Sequence, residues 1–214
     1  MTLITFGQVF IVCLLGAMSP GPSMAVVINN AILKGRYNGI LTSIGHGIGI
    51  VIYATFAVLG LGLIIKTNTF IFNTLEILSI ILIVFIGIKS FSNETRLKLE
   101  ENDIKRKTFS FLQGFSISIL NPKILVWFIA IYSQFMSIDN ELIFNMYLIL
   151  IAGIIDACWY IILSLAVTTS SALNFFQKQI NFMQKIQGFF FIALGLGLLI
   201  NLYFSTNWRF LNYA

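Results

Sequence analysis

Two charged side chains in strongly apolar surroundings are the first candidates for chemistry in this sequence. Lys123 lies in the run SILNPKILVW, and Asp156 lies in GIIDACWYII. A charge at the centre of a membrane helix costs roughly 2.5–3.5 kcal/mol on insertion scales, and such residues usually face a partner or a water-filled cavity. The two residues can form a structural ion pair with each other. Alternatively, Lys123 can bind the carboxylate of a substrate, and Asp156 can bind its ammonium group or a proton.

His46, in SIGHGIGI, is the only histidine of the chain and joins Asp156 as a candidate for proton coupling. A histidine titrates near neutral pH, although a single histidine inside a membrane helix is more often a hydrogen-bonded packing residue. One histidine and two distant cysteines form a poor ligand set for a metal ion, and the sequence has no Gly-rich phosphate loop. The sequence therefore predicts no metal site and no cofactor.

The three prolines of the chain all lie inside apolar runs, where a continuous helix is expected. Pro20 follows Ser19, and Pro122 follows Asn121. Because serine and asparagine are preferred N-caps and proline is favoured at the first helical position, each pair predicts a helix that begins inside a span. Such a start presents unpaired N–H groups and the positive end of the helix dipole, which favour an anion. A proline kink repaired by neighbouring helices is the structural alternative.

The elements that position these residues must cross a membrane. The 214 residues are 58% hydrophobic and only 10% charged, with a mean hydropathy of +0.93, whereas a soluble domain is about a quarter charged. A membrane-spanning helix needs about 20 predominantly apolar residues. Six stretches reach this length: 3–33, 39–65, 70–91, 109–136, 142–167 and 185–204. The sequence therefore predicts an all-α polytopic membrane protein with six transmembrane helices, of which the first and fourth are broken at proline.

The positive charge of the chain predicts how these spans are oriented. The net charge is +5, and the first, third and fifth loops, the last of which includes Lys178, carry nearly all of the basic residues. By the positive-inside rule these loops are cytoplasmic and both termini lie outside. No basic residue precedes Lys34, which predicts a retained first span rather than a signal peptide. Acidic residues largely neutralise the basic ones in the third loop, so we predict the lipid bilayer, and no nucleic acid, as a partner.

The charged loop at 92–108 divides the predicted spans into two units of three helices, 1–91 and 109–214. The first span of each unit carries a helix-breaking proline after a small polar residue. Because a unit of three spans has an odd number of crossings, the second unit must insert upside down relative to the first. Inverted repeats of this kind recur in secondary transporters, where broken helices at the repeat interface bind the substrate near the bilayer midplane.

Four motifs of the chain match one known pattern. They are SPGPSM in the first span, GIK at 87–89 in the third, FLQGFSISILNPKILVWFIAIYSQF in the fourth, and Asp156 followed by Trp159 in the fifth. Together they resemble the LysE-type translocators, the lysine exporter family with its homoserine/threonine efflux branch, over essentially the whole chain. The resemblance implies a non-enzymatic secondary exporter of amino acids or close derivatives in the cell inner membrane, driven by the proton motive force through proton antiport.

The resemblance also implies which residues bind the substrate. Together with the predicted cap Ser19, they are Pro20, Gly21, Pro22, Asn121, Pro122, Lys123 and Asp156. Many family members carry an acidic residue where this chain has Ile50, and its loss favours a neutral, homoserine- or threonine-like substrate over a dicationic one. An exporter of a metal ion or other small solute, or a non-transport membrane subunit, is the alternative. A homo-oligomer is compatible with the sequence.

Overall fold

The computed structural model describes residues 3–92, 109–136, 141–167 and 170–211, and this part of the chain consists of helices joined by short turns. It contains eight helices: α1 (Leu3–Ala17), α2 (Pro22–Leu33), α3 (Arg36–Thr67), α4 (Thr69–Ser92), α5 (Ser110–Leu120), α6 (Pro122–Tyr132), α7 (Leu142–Ala166) and α8 (Ser170–Leu211). The predicted all-α class is therefore confirmed. Residues 93–108 of the predicted charged loop lie outside the described residues.

Four segments of these helices are long and apolar enough to cross a membrane: α3, α4, α7 and Lys178–Ile200 of α8. The remaining four helices form two consecutive pairs, each sharply bent at a short break. The axes of α1 and α2 differ by 64°, and those of α5 and α6 differ by 58°. The described chain thus has up to six spans if each bent pair counts as one, and the predicted breaks in the first and fourth spans are confirmed.

The break between α5 and α6 has the cap that the sequence predicts. Asn121 occupies the N-cap of α6 in extended backbone conformation (φ −82°, ψ 107°), and Pro122 is the first helical residue. The Asn121 side-chain oxygen accepts a hydrogen bond from the backbone N–H of Lys123 at 3.0 Å. This cap satisfies one of the N–H groups that a helix start leaves unpaired.

The break between α1 and α2 differs from the prediction that Ser19 caps a helix beginning at Pro20. α2 begins two residues later, with Gly21 as its N-cap and Pro22 as its first residue. Gly21 has an extended φ of 175°, and α2 has no side-chain cap. The second proline explains the shift. A proline disfavours the helical conformation of the residue before it, so Gly21 cannot belong to a helix that continues into Pro22.

The last helix also differs from the prediction, whereas α3, α4 and α7 begin and end within three residues of the predicted spans. The sequence predicts a loop that includes Lys178 and a sixth span that begins at residue 185, but α8 already begins at Ser170. Residues 170–187 contain neither glycine nor proline, so no local signal ends the helix before the apolar segment. Lys178 therefore belongs to a helix rather than to a loop.

α3 packs against α5 and against α7, and small residues allow both contacts. A side chain on Gly45 would collide with the backbone of Phe111 in α5. A Cβ atom on Gly47 would lie 2.7 Å from the Cβ atom of Ala157 in α7. The glycine-rich segment of α3 therefore brings two other helices close to His46, which stands between these two glycines.

Candidate functional site

A small cavity, the central cavity, lies where the two helix breaks meet. Its volume is about 60 Å³, which is room for on the order of four water molecules. Six residues that the sequence singles out line it: Ser19, Gly21, His46, Asn121, Lys123 and Asp156. Pro20 and Pro122 line a neighbouring cavity of about 420 Å³ that shares Lys123, and Pro22 begins α2. Within the described chain, no group of three or more His, Cys, Asp or Glu residues could hold a metal ion.

Lys123 joins the second helix break to the first. Its ammonium group donates hydrogen bonds to the hydroxyl oxygen of Ser19 and, at 3.1 Å, to the carbonyl oxygen of Pro20. Next to it, the side-chain N–H of Asn121 donates to the hydroxyl oxygen of Ser23 at 3.1 Å. Both helix starts therefore share one polar cluster. Ser23 is not among the predicted binding residues, because its only signal for binding is its place in the first turn of a helix that begins at proline.

The positive charge of Lys123 has no carboxylate partner among the residues that the structure describes. Its two hydrogen-bond acceptors are neutral oxygens. The Lys123–Asp156 ion pair that the sequence allows does not form, because Asp156 instead contacts His46. An ammonium group beside two helix starts, paired only with neutral oxygens, favours the binding of an anion.

Asp156 and His46 form a buried pair at the central cavity. Asp156 Oδ2 lies 2.6 Å from His46 Nδ1, and the two residues are only 5% and 1% exposed. Because a carboxylate only accepts hydrogen bonds, we assign the proton to Nδ1, which leaves Nε2 on the other side of the ring. The ring of Tyr160 packs edge-to-face on His46, with 4.9 Å between ring centres. The pair therefore fixes the orientation of the imidazole ring and holds the Asp156 carboxylate at the central cavity.

The close crossing of α3 and α7 creates this pair. A Cβ atom on Gly47 would lie 2.9 Å from the Gly153 carbonyl oxygen, and one on Gly153 would lie 2.9 Å from the Gly47 carbonyl oxygen. The two backbones therefore approach to a distance that a larger residue would prevent. His46 adjoins Gly47, and Asp156 lies about one turn beyond Gly153, so the crossing brings their side chains into contact.

Most of the chain matches the sequence pattern of one known protein family. The family model of the LysE type translocators matches residues 14–202, a range that includes both helix breaks. The chain belongs to the LysE-type translocators. The predicted family is thus confirmed, and membership makes the chain a multi-pass membrane transporter rather than an enzyme.

Curated proteins are similar to this translocator at low identity. It is 25% identical to the uncharacterized membrane protein YrhP of Bacillus subtilis over 190 residues, which cover 83% of this chain and 90% of that protein. It is 21% identical to a threonine efflux protein of Escherichia coli over 208 residues, which cover 94% and 98% of the two chains. A leucine efflux protein of Klebsiella pneumoniae is 25% identical over 137 residues, which cover 63% and 62%. No solved structure matches the translocator significantly.

A second group of polar residues, which we call the end cluster, connects the end of α2 to α3 and α5 of the translocator through hydrogen bonds. It consists of Asn30, Lys34, Thr42 and Gln113. The Asn30 side chain donates to Thr42 Oγ1 at 2.9 Å and to Gln113 Oε1 at 2.8 Å. Lys34 Nζ donates to the same Gln113 oxygen at 3.2 Å. Because Thr42 lies one turn before His46 in α3, the end cluster stands close to the central cavity and joins the two halves of the chain beside it.

Proposed function

We propose that this translocator is a secondary exporter of neutral amino acids, driven by the proton motive force. One observation carries the proposal. A single cavity joins Lys123, a cation with no carboxylate partner in the described chain, to the buried carboxylate of Asp156. A zwitterionic amino acid carries a carboxylate and an ammonium group attached to the same carbon atom, so it can engage both groups at once. The names of the threonine and leucine efflux relatives agree with a substrate of this class.

The carboxylate of the substrate binds where the two helix breaks meet. Lys123 donates there to the Ser19 hydroxyl and the Pro20 carbonyl, which are both neutral. A carboxylate oxygen that replaces either acceptor forms a stronger, charge-assisted hydrogen bond. Since α2 begins without a side-chain cap, the N–H groups of its first turn also favour an anion at this position.

The ammonium group of the substrate binds Asp156 at Oδ1, beside His46, which contacts Oδ2 at 2.6 Å. A proton that arrives from outside neutralises the carboxylate and releases the ammonium group. Substrate and proton therefore alternate at one carboxylate, as antiport requires. His46 passes the proton, because its Nδ1 lies within hydrogen-bond distance of Asp156 and its ring can carry a second proton on Nε2.

One residue of the central cavity favours a substrate with a neutral side chain. Ile50 lines the cavity at a position where many family members carry an acidic residue. Among the described residues that line the cavity, Asp156 is then the only acidic one. A second ammonium group, as in lysine, would have no carboxylate partner there and would retain the desolvation cost of a buried charge.

Alternating access in this proposal uses the two units 1–91 and 109–214 as inverted repeats of three spans each. The contact of α3 with α5 supports a repeat of the two units, because its equivalent under the repeat is the contact of α7 with α1, which is also present. The six spans lie in the cell inner membrane, with the first, third and fifth connections cytoplasmic and the termini outside. Rocking of one unit against the other opens the central cavity to each side in turn.

Transport into inverted membrane vesicles tests this function. Vesicles that contain the translocator should accumulate labelled threonine when their lumen is more acidic than the medium, and should stop when the pH gradient is dissipated. Asp156→Asn should abolish the accumulation and Lys123→Ala should strongly reduce it, because each removes one of the two substrate-binding charges. Lys178→Ala is the matched control, because Lys178 is exposed on α8 and does not line the central cavity, and this variant should transport normally.

Three outcomes would contradict parts of this proposal. Normal transport by either site variant would exclude the binding mode. Accumulation that survives dissipation of the pH gradient would exclude proton coupling. If no amino acid accumulates, and if the protein instead protects growing cells against a metal ion whatever amino acid is supplied, the translocator exports a metal ion.

A further inference from the structure

Two buried ring nitrogens of side chains that line the central cavity have no hydrogen-bond partner within the described chain. They are His46 Nε2 and Trp127 Nε1, which are both buried atoms of side chains that line the cavity. Buried polar groups are nearly always hydrogen-bonded in folded proteins, so each exception needs an explanation. The contacts of Lys123 and Asp156 described above use neither nitrogen.

The indole of Trp127 is held in place by a residue near the end of α1. A Cβ atom on Gly16 would lie 2.7 Å from Trp127 Cζ2 and 3.1 Å from Nε1, so a glycine is needed for the indole to rest there. The ring of Phe128 packs against it edge-to-face, with 5.0 Å between ring centres. Trp127 follows Lys123 by four residues on α6, so both lie on one face of that helix. The indole N–H therefore lies about one turn from the cation that binds the substrate carboxylate.

The two nitrogens differ in what they can bind. Indole Nε1 only donates a hydrogen bond. His46 directs its Nδ1 proton to Asp156, so Nε2 of the neutral ring only accepts. A group that satisfies both nitrogens must accept one hydrogen bond and donate another. A hydroxyl group does so, as does a water molecule, whereas an alkyl, carboxylate or ammonium group on the substrate does not.

We propose that Trp127, together with His46 Nε2, recognises a hydroxyl group on the side chain of the exported amino acid. The inference rests on the proposed function and makes Trp127 a specificity-determining residue of the same site. An aliphatic side chain of the same shape leaves both nitrogens unpaired, which disfavours its binding. The translocator therefore selects hydroxylated over aliphatic amino acids. The names of its relatives do not decide between these two classes, because one is a threonine efflux protein and another is a leucine efflux protein.

Competition between threonine and valine tests the inference, because the two side chains have nearly the same shape and differ in one hydroxyl group. In inverted vesicles, wild-type transport efficiency should be at least about ten-fold higher for threonine than for valine. Trp127→Phe removes the N–H and keeps an aromatic ring, so the ratio should fall toward one while valine transport persists. Trp159→Phe is the matched control. Trp159 Nε1 is also buried without a partner among the described residues, but Trp159 does not line the central cavity, so the wild-type ratio should remain.

Gly16→Ala provides a second test, because the added methyl group displaces the indole while Trp127 remains, and the ratio should again fall. Equal transport of threonine and valine by the wild type would overturn the inference, as would an unchanged ratio in Trp127→Phe or an equal loss in Trp159→Phe. In each of these cases amino-acid export still stands. If the wild type accumulates no amino acid at all, the proposed function fails and this inference fails with it.

Discussion

The ammonium group of Lys123 donates a hydrogen bond to the carbonyl oxygen of Pro20 at 3.1 Å, so a cation on one broken helix contacts the break of the other. Ser19 supplies a second acceptor for the same group. Since both acceptors are neutral, the contact holds the two breaks together without neutralising the charge. Lys123 therefore remains able to bind an anionic group of a substrate.

Ser19→Ala should impair transport less than Lys123→Ala does. The serine contributes one neutral hydrogen-bond acceptor, and its loss should raise the substrate concentration for half-maximal transport by roughly two- to ten-fold. The loss of the lysine charge from the substrate contact should raise it by at least about 30-fold. Initial rates of threonine uptake into inverted vesicles, measured over a range of concentrations, check this order. Equal effects of the two substitutions would show that Lys123 acts only through Ser19.

His46→Gln should uncouple transport from the pH gradient. Glutamine can still donate an amide N–H to Asp156, but it cannot carry a proton. We therefore expect exchange of labelled for unlabelled substrate to persist while accumulation against a gradient is lost. Asp156→Asn should lose both activities, because it also removes the ammonium site.

The pH dependence of transport tests the same proton path, because the proposal predicts the direction in which accumulation changes with pH. In the proposed mechanism, protons in the vesicle lumen neutralise the substrate-binding carboxylate and release the substrate. Wild-type accumulation should therefore fall as the luminal pH is raised at constant external pH. His46→Gln should show a flat profile over the same range, and a wild-type profile in this variant would remove His46 from the proton path.

Gly47→Ala should destabilise the bundle and separate His46 from Asp156. Its methyl group would lie 2.7 Å from the Cβ atom of Ala157, so α3 and α7 must move apart, at a cost of about 1–3 kcal/mol in the free energy of unfolding. Gly60→Ala is the control on the same helix, because a Cβ atom there meets nothing within 4 Å. Thermal unfolding in detergent should show a lower midpoint for Gly47→Ala only. An equal change in both variants would indicate a general effect of glycine replacement.

Gln113→Ala should open the central cavity at the end cluster. Gln113 accepts hydrogen bonds from Asn30 and Lys34. Each bond contributes about 1 kcal/mol, so the loss of one or both should raise the population of molecules with an open cavity roughly five- to thirty-fold. Cys13 lines the central cavity and is buried, so its labelling by a small thiol reagent reports the opening. Cys158, which is exposed, is first replaced by serine.

Thr67→Ala is the matched control for the end-cluster experiment. The Thr67 hydroxyl is exposed and donates to a carbonyl oxygen of its own helix, so its loss should leave the labelling rate of Cys13 unchanged. A rate that does not rise in Gln113→Ala would show that the end cluster does not keep the cavity closed.

Signals between near neighbours in the sequence determined the helices and one of the two breaks. Span length follows from runs of apolar residues, and the Asn121 cap depends on a side chain and an N–H only two residues apart. The start of α2 was predicted at Pro20 and lies at Pro22, although the same local steric rule accounts for it. Gly21 precedes a proline, and that neighbour decides where the helix can begin.

Only the tertiary structure decided which polar side chains meet. The sequence allows an ion pair between Asp156 and Lys123, but in the fold Asp156 pairs with His46, which is 110 residues away along the chain. The reason is that backbone sterics act between neighbours in the chain, whereas side-chain pairing depends on where two helices cross. The crossing of α3 and α7 is set by the mutual approach of Gly47 and Gly153, and no local pattern specifies that these two glycines face each other.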